Sequence, residues 1–518
     1  MVTSFSTVER ELSSRIKGEC FFDAGTRDRY SMAASWYKIQ PVGVVMPKDA
    51  EDVQAVVRFC AENEIPLIPR GAGTGLAGQA IGMGIVLDFT RWMHHIERHD
   101  RSTATVQAGI VLKNLNQSLA PAGVFFPIDP ASRNLCTLGG MIATNAAGAH
   151  GLRYGATKDH VVSLDVVLST GERVTIDGPE QEALHPAVSR LHHSLEDLLL
   201  PHRALITSRF PRVAKNSSGY NLVDAIAGKT IDVRKILVGS EGTLAVIVGA
   251  TLQLSPVPPY RVGALAYFAD YESTVDATVK ALELQPAAIE ILDRTYFALG
   301  RQLNQSVRRL LRLEAQTMLY FEFEGNNPQE LEAHLQQLTA TLGTFRPLEV
   351  LMLETPDARA AFWNLREEVS EQLNLTDTFG KSSFIEDVAV PVRSLPQYVR
   401  GLSEILNRYG IPFSVYGHAG AGNIHCATFV DITNSDHYRV IDLIAAEVND
   451  LAISLGGTLS GEHGDGYVRT PFLERLYGEE VYALFKEVKR IFDPQNILNP
   501  GKIVGQQNTT ILHDLAFA

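Results

Sequence analysis

Pro69-Arg70-Gly71-Ala72-Gly73-Thr74-Gly75-Leu76-Ala77-Gly78 is the stretch on which the reading of this chain turns. From Gly73 to Gly78 it spells G-x-G-x-x-G, the pattern that in a dinucleotide-binding βαβ unit leads from a strand into a helix whose N-terminus faces a pyrophosphate. Here the chain continues Gln79-Ala80-Ile81-Gly82-Met83-Gly84 and then Ile85-Val86-Leu87, a strand, so no helix opens where that unit needs one. Glu97 and Asp100 stand at a suitable distance for the ribose-binding acid. The missing helix nevertheless counts against a nicotinamide-dependent dehydrogenase. A glycine-rich loop also binds phosphate without a helix, when consecutive backbone N–H groups form a concave nest, and Arg70 adds a positive charge beside it. Taken alone, the loop is equally readable as a structural cluster of turns.

Around this loop the chain divides by texture. Val53, Val56, Val57 and Cys60 recur at helical spacing and Pro66-Leu67-Ile68-Pro69 follows as an extended segment, giving strand, helix, strand. Up to Val257 the chain is rich in Gly and in short β-type runs, Ile85-Val86-Leu87, Val161 to Leu168 and Ile236-Leu237-Val238, which predicts sheet with few helices. Pro256-Val257-Pro258-Pro259 punctuates it as a junction. Beyond it, strand-like runs (Met318 to Phe323, Leu348 to Leu353, Phe384 to Val390) alternate with helix-like ones (Pro328 to Leu342, Ala358 to Leu373, Leu395 to Arg408, Tyr438 to Leu455). The tail holds a helix, Glu479 to Phe492, a stop at Asp493-Pro494 and a turn at Asn499-Pro500-Gly501-Lys502.

Bulk properties narrow the function classes. A chain of 518 residues exceeds what one hydrophobic core usually serves, so at least two domains are expected. The 45% hydrophobic and 20% charged shares are those of a globular protein, and no apolar run reaches the roughly 20 residues of a membrane span. A net charge of −13 argues against a nucleic-acid surface. The N-terminus has no basic segment followed by an apolar run, which favours the cytoplasm, with peripheral contact at the inner face of a membrane compatible with that. Cys20, Cys60, Cys136 and Cys426 form no C-x-x-C pair, so neither a disulfide framework nor a cysteine metal cluster is expected.

Two further Gly-rich stretches precede the junction. Cys136-Thr137-Leu138-Gly139-Gly140-Met141-Ile142-Ala143-Thr144-Asn145-Ala146-Ala147-Gly148 mixes small residues with hydroxyls and an amide, and Gly239-Ser240-Glu241-Gly242-Thr243-Leu244 is a shorter relative of it. Such composition lets backbone approach a flat ligand while offering donors. Beyond the junction, Tyr416-Gly417-His418-Ala419-Gly420-Ala421-Gly422-Asn423-Ile424-His425 places two imidazoles about a glycine-rich bend, and Ser460-Gly461-Glu462-His463-Gly464-Asp465-Gly466 adds a carboxylate and a third imidazole. Two His and one carboxylate suit Zn, Mn or Fe. Adjacent Glu462 and His463, in a segment read as extended, are expected to diverge, one toward a metal and one toward substrate. The spacing is not that of the helical zinc-protease motif.

Together these segments resemble the FAD-linked D-2-hydroxy-acid dehydrogenases (the D-lactate, glycolate and D-2-hydroxyglutarate branch) of the vanillyl-alcohol oxidase and p-cresol methylhydroxylase superfamily, from about Pro41 to Ile503. The resemblance implies an α+β chain with a two-subdomain FAD-binding domain over 1–257, an α/β cap domain with an antiparallel sheet over 258–470, and a C-terminal helical segment, 471–518, returning to the first domain. It implies that Arg70, Gly71, Ala72, Gly73, Thr74, Gly75, Leu76 and Gly78 wrap the pyrophosphate, while Asp129, Thr137, Gly139, Gly140, Thr144, Asn145, Gly148, Glu241, Gly242 and Asn499 attend the rest of FAD. Covalent members attach flavin through a His of the phosphate loop. Thr74 and no His stands in that region, so dissociable FAD is expected.

Matching residues imply His418, His425 and Glu462 as ligands of a divalent metal, zinc ahead of the others, His463 as catalytic base and Arg366 as the clamp for a substrate carboxylate. Read without the resemblance, Arg366 is equally a charge on a surface helix. The sequence departs from the family at Ala421, where many relatives have Asp, and at Ile385, where those specialised for two carboxylates place Lys; Lys381 is out of register. The expected reaction is oxidation of a small D-2-hydroxy acid, D-lactate first, by hydride transfer to flavin N5. Glycolate or D-2-hydroxyglutarate is the alternative substrate, and a non-catalytic flavin-binding electron-transfer subunit the alternative class. The expected partners are a separate iron–sulfur protein or quinone system as acceptor and a second copy in a homodimer.

Overall fold

The structure, a computed structural model, describes residues 5–179, 185–303, 305–374, 379–382, 384–431, 435–507 and 509–516. Strand, helix and strand open the first half as the apolar spacing dictates. The helix Ala50–Asn63 starts at Asp49, whose side chain accepts the N–H groups of Glu51 and Asp52, buries Val53, Val56, Val57 and Cys60, and stops at Glu64 in a left-handed conformation (φ 53°). The strands it joins, Gly43–Met46 and Leu67–Arg70, flank Ile85–Asp88 in a parallel arrangement, with Glu19–Phe21 antiparallel at the edge. Leu67–Arg70 therefore delivers the chain directly into the glycine-rich loop at one end of this sheet.

A second, antiparallel sheet of five strands runs Ile96–His99, Thr103–Gln107, Val246–Gln253, Val161–Val167, Arg173–Ile176. Helices are more numerous here than the sequence led us to expect. Leu112–Leu119, Leu138–Thr144, Pro186–Leu199 and Arg203–Arg209 are helical, and Ile236-Leu237-Val238, expected as a strand, ends a short helix Val233–Leu237. The reason is capping. Asp232 accepts the N–H of Arg234 and Thr137 that of Gly140, which starts helices that short apolar or glycine-rich runs do not announce.

After Pro256 the chain builds one eight-stranded antiparallel sheet in the order Glu349–Leu353, Tyr260–Phe268, Thr317–Gly325, Ala288–Asp293, Phe413–His418, Asn423–Asp431, Phe379–Ser382, with Val388–Ala389 also on Asn423–Asp431. The run Phe384 to Val390 is thus strand only at its end, because Glu386 and Asp387 turn inward to polar partners. Both faces of the sheet are covered, which is why its strands read as near-continuous apolar runs. Ala264, Ala266, Phe268, Ile289, Ile291, Leu319, Phe321 and Phe323 pack with the main core, whereas Leu265, Tyr267, Leu292, Met318 and Tyr320 pack with Phe362, Leu365 and Val369 of the helix Pro356–Asn374. Expected helices recur nearly in place, at Pro328–Gly343, Leu395–Arg408 and Ser435–Ser454.

The chain's end returns to its beginning. Leu498 bridges to Leu67, Asn499 N–H donates to the Leu67 carbonyl (2.8 Å), and Leu515 bridges to Tyr37. Among the described residues no helix is long and apolar enough to cross a membrane.

One buried carboxylate links fold to pH. Asp293 caps the helix Arg294–Gly300 and also accepts from Ser414 Oγ (2.8 Å) and Val415 N (2.7 Å). Burial outweighs these bonds and pushes its pKa up from 3.8 to about 6. A carboxyl with a raised folded pKa contributes stability that is complete below its unfolded pKa and lost as pH rises through the folded one. Replacing it with Asn should flatten the fall in stability between pH 3.8 and about 6 relative to the unmodified protein, as read by thermal unfolding across that window.

Candidate active site

Period-two alternation aims the charged residues of the large sheet at one face. In Thr317–Gly325 the odd residues Leu319, Phe321 and Phe323 enter the main core, so Tyr320, Glu322 and Glu324 face the other way, and in Ala288–Asp293 Glu290 shares that face with Leu292. Tyr416 pairs with His425 and His418 with Asn423, which puts Tyr416, His418 and His425 on it too. Gly417 between them holds φ 133°, and a Cβ there would meet the Asn423 carbonyl at 2.9 Å.

On this face two imidazoles converge on one carboxylate oxygen. His418 Nε2 lies 2.9 Å and His425 Nε2 3.4 Å from Glu462 Oε1. The other ring nitrogens are occupied: His418 Nδ1 donates to Glu290 Oε1 (2.6 Å) and His425 Nδ1 to the Glu386 carbonyl (3.1 Å). Two nitrogen lone pairs directed at one anionic oxygen repel unless a cation or proton lies among them, so this donor set fits a divalent metal. Burial acts against charge on His425, yet Glu386 and Glu462 lift its pKa to about 9, the preference of a site that wants positive charge. Glu462 stays well below the usual carboxylate range despite burial, held by Lys215 and His418. Asp387 also lies close to His425, Glu462 and His463. Its oxygens already accept Ser460 Oγ (2.6 Å), the N–H groups of Glu462 (3.0 Å) and His463 (2.8 Å) and Asn423 Nδ2 (3.0 Å), so it braces the loop.

His463 does not diverge from Glu462 as expected. The segment bends rather than extends, and His463 Nε2 comes within 3.8 Å of Glu462 Oε1. His463 Nδ1 donates to Glu386 Oε1 (2.8 Å), leaving Nε2 as an acceptor, and Asp387 and Glu386 raise its pKa against the effect of burial. Arg366 is no surface charge. It is 7% exposed, its guanidinium lies 4.9 Å from the Tyr416 ring centre, and Nε reaches Glu290 Oε2 at 3.3 Å.

A single cavity of about 720 Å³ runs from these residues to the glycine-rich loops. Arg70 to Leu76, Asp129, Thr137, Gly139, Gly140, Thr144, Glu241 and Gly242 line one part of it, and Glu290, Arg366, Tyr416, His418, His425, Glu462 and His463 the other. The backbone N–H groups of Gly71 to Leu76 have no acceptor among the described residues, as a phosphate nest requires. Arg70 lies under the loop, with Nη1 donating to the carbonyls of Met32 (2.9 Å) and Ala80 (3.3 Å). The loops interlock: a Cβ on Gly71 would stand 2.1 Å from Thr137 Oγ1.

Gly78, Asn145, Gly148 and Asn499 lie behind this lining. Asn499 Nδ2 ties the Gln79 (2.9 Å) and Glu241 (2.7 Å) carbonyls together, and Asn145 Oδ1 accepts from Lys158 N (3.0 Å). Gly148 is indispensable sterically, since a Cβ would sit 2.3 Å from the Asp129 carbonyl oxygen. Gly148→Ala should displace its cavity-lining neighbours Ala147 and Ala149, so the purified variant is expected to carry well under one FAD per chain by absorbance ratio.

Several residues of the site were not singled out from sequence. Glu290 is a lone carboxylate in Ala287-Ala288-Ile289-Glu290-Ile291-Leu292, and a charge in an apolar strand needs a buried partner, which is the signal that could have found it. That partner is His418, whose Nδ1 it holds. Ile385 is buried beside Glu386, whereas the Lys381 side chain lies outside the described residues. Lys215, in the polar run Lys215-Asn216-Ser217-Ser218-Gly219, reaches Glu462 Oε2 at 2.6 Å.

A loop suited to phosphates and a histidine–carboxylate cluster thus stand at two ends of one cavity. Residues 41–177 match the family model described as FAD binding domain, and 257–503 that described as FAD linked oxidases, C-terminal domain. The chain is 32% identical over 466 residues to the D-lactate dehydrogenase of Archaeoglobus fulgidus, covering 89% of this chain and 91% of that one. It is 28% identical to the glycolate oxidase subunit GlcD of Bacillus subtilis, over 95% of this chain and 96% of that one. It spans about half the length, 49%, of the D-2-hydroxyglutarate dehydrogenase of Escherichia coli, at 29% identity over 92% of this chain. Its fold is that of p-cresol methylhydroxylase (TM-score 0.71, 15% identity, 98% of both chains). The chain belongs to the FAD-linked D-2-hydroxy-acid dehydrogenase family and is an FAD-dependent oxidoreductase.

Proposed function

We propose that this enzyme oxidises D-lactate to the 2-oxo acid with dissociable FAD and a divalent metal, zinc ahead of manganese and iron, and passes the electrons to a separate iron–sulfur protein or quinone system. The observation that carries the reading is the convergence of His418 Nε2 and His425 Nε2 on Glu462 Oε1 in the same cavity as the phosphate nest. Residues 1–257 would hold FAD, 258–470 the substrate, and 471–518 would close the first unit from behind.

FAD, when bound, would supply the hydride acceptor, and a metal held by His418, His425 and Glu462 would supply a Lewis acid for the substrate. Arg366 holds the carboxylate, a task suited to a planar guanidinium already fixed against Tyr416. His463 Nε2 takes the hydroxyl proton as the Cα hydrogen departs as hydride, and Glu386 on Nδ1 stabilises the imidazolium that forms.

Charge balance favours a substrate with one carboxylate. Glu290, Glu386, Asp387 and Glu462 outnumber Lys215, Arg366 and Arg469 by one at formal charge with neutral imidazoles, so a divalent ion leaves a single positive charge for the acid. Toward the other wall, His150 pairs with Asp129 (2.6 Å) and Glu322 (2.9 Å), Arg261 with Glu324 (3.0 Å) and Arg133 with Glu367. Among the described residues no surplus cation stands there for a second carboxylate. The test is kcat/KM with an artificial electron acceptor for D-lactate, glycolate and D-2-hydroxyglutarate. D-lactate is expected to lead, and a lead for D-2-hydroxyglutarate would reject the assignment.

A further inference from the structure

We propose that Lys215 is a positioning residue of the metal site, fixing Glu462 so that one oxygen alone faces the two imidazoles. This rests on the metal reading given above. Lys215 and Glu462 come from segments 247 positions apart, and their side chains are 3% and 7% exposed. The ammonium donates to Glu462 Oε2 at 2.6 Å, while Glu462 Oε1 lies 2.9 Å from His418 Nε2. The two oxygens thus have separate partners, and the carboxylate plane cannot rotate to offer both to one ion without breaking the lysine bond. A second hydrogen bond, from Nζ to the Gly148 carbonyl (2.8 Å), fixes the ammonium from the side of the cofactor loops.

The lysine's own place is set by backbone. Ser217 N–H donates to the Ser460 carbonyl (2.9 Å) and Ser217 Oγ to that of Gly461 (3.2 Å), so the Lys215 and Glu462 segments run against each other in fixed register. An ammonium this close to a ligand carboxylate withdraws some of its charge, which weakens attraction for a cation, but it also removes the freedom of the ligand to swing away. In a buried, tightly packed site the second effect decides, because outer partners that orient ligands are typically worth 10- to 100-fold in metal affinity.

The test uses FAD-loaded protein stripped of metal and titrated with Co²⁺, whose visible absorption reports coordination. Lys215→Met and Lys215→Gln are compared with the unmodified protein, the Gln variant keeping an N–H donor for Gly148 without the charge. Both are expected to bind Co²⁺ about 10- to 100-fold more weakly, with an altered absorption band, at full FAD content. Co²⁺ affinity and band equal to the unmodified protein's would overturn the proposal. So would loss of FAD in both variants at unchanged Co²⁺ affinity, which would assign Lys215 to the cofactor loop through Gly148. Failure of the unmodified protein to bind Co²⁺ would instead remove the metal site itself, and the proposal with it.

Discussion

His463→Ala is expected to retain FAD while its reduction by D-lactate slows by about 10²- to 10⁴-fold, the range over which a positioned acid–base group acts. The ring is held in a way that suits the proposed task. Nδ1 is committed to Glu386 (2.8 Å), and the ring stacks on His425 with centres 5.1 Å apart. The backbone is held independently, its N–H by Asp387 (2.8 Å) and its carbonyl by Gln79 Nε2 (2.6 Å), so an alanine keeps the loop and loses only the base. Anaerobic rapid mixing with the flavin band as readout gives the rate. An unchanged rate would remove His463 from the chemistry and favour a subunit that carries electrons without drawing them from a hydroxy acid.

Removal of the metal should have an effect of similar size. A Lewis acid at the reacting oxygen contributes several kcal/mol, on the order of 10³ in rate. Chelator-treated protein should therefore keep its flavin spectrum, fail to reduce it with substrate, and recover when a divalent ion is restored. His425→Ala should not recover, since it deletes a proposed ligand, and a lost ligand exceeds the roughly 10- to 100-fold cost of a lost outer partner. Metal analysis of the purified variant beside its reduction rate checks both statements. Full activity in metal-free protein would leave His418, His425 and Glu462 as a hydrogen-bonded cluster around a proton.

The elements with strong local signals were legible in the sequence. The helix Ala50–Asn63 declared itself by Val53, Val56, Val57 and Cys60, and the loop after Arg70 by its glycines and the strand that follows. The helix Leu138–Thr144 was hidden because Gly139 and Gly140 are poor helix formers; Thr137 starts it, and Gly139 is there because a Cβ would stand 2.8 Å from that of Ala108. Site residues that stand in motifs, such as His418, His425 and Glu462, could be gathered by pattern and resemblance. Glu290, Glu386 and Lys215 act only through strands and loops far apart in sequence, and only the sheet register and the contact of the segments around Lys215 and Glu462 bring them together. The adjacent pair Glu462 and His463 shows the limit of local reading, since its bend is set by hydrogen bonds to Asp387, a residue 75 positions away from the first.

The most direct measurement mixes FAD- and metal-loaded protein anaerobically with D-lactate, L-lactate, glycolate and D-2-hydroxyglutarate in turn and follows the flavin absorbance. Fast bleaching by D-lactate, abolished by chelation and restored by a divalent ion, is the predicted result. Flavin that none of the four acids bleaches, or that D-lactate bleaches equally well without metal, would contradict a metal-assisted hydroxy-acid oxidation in this cavity.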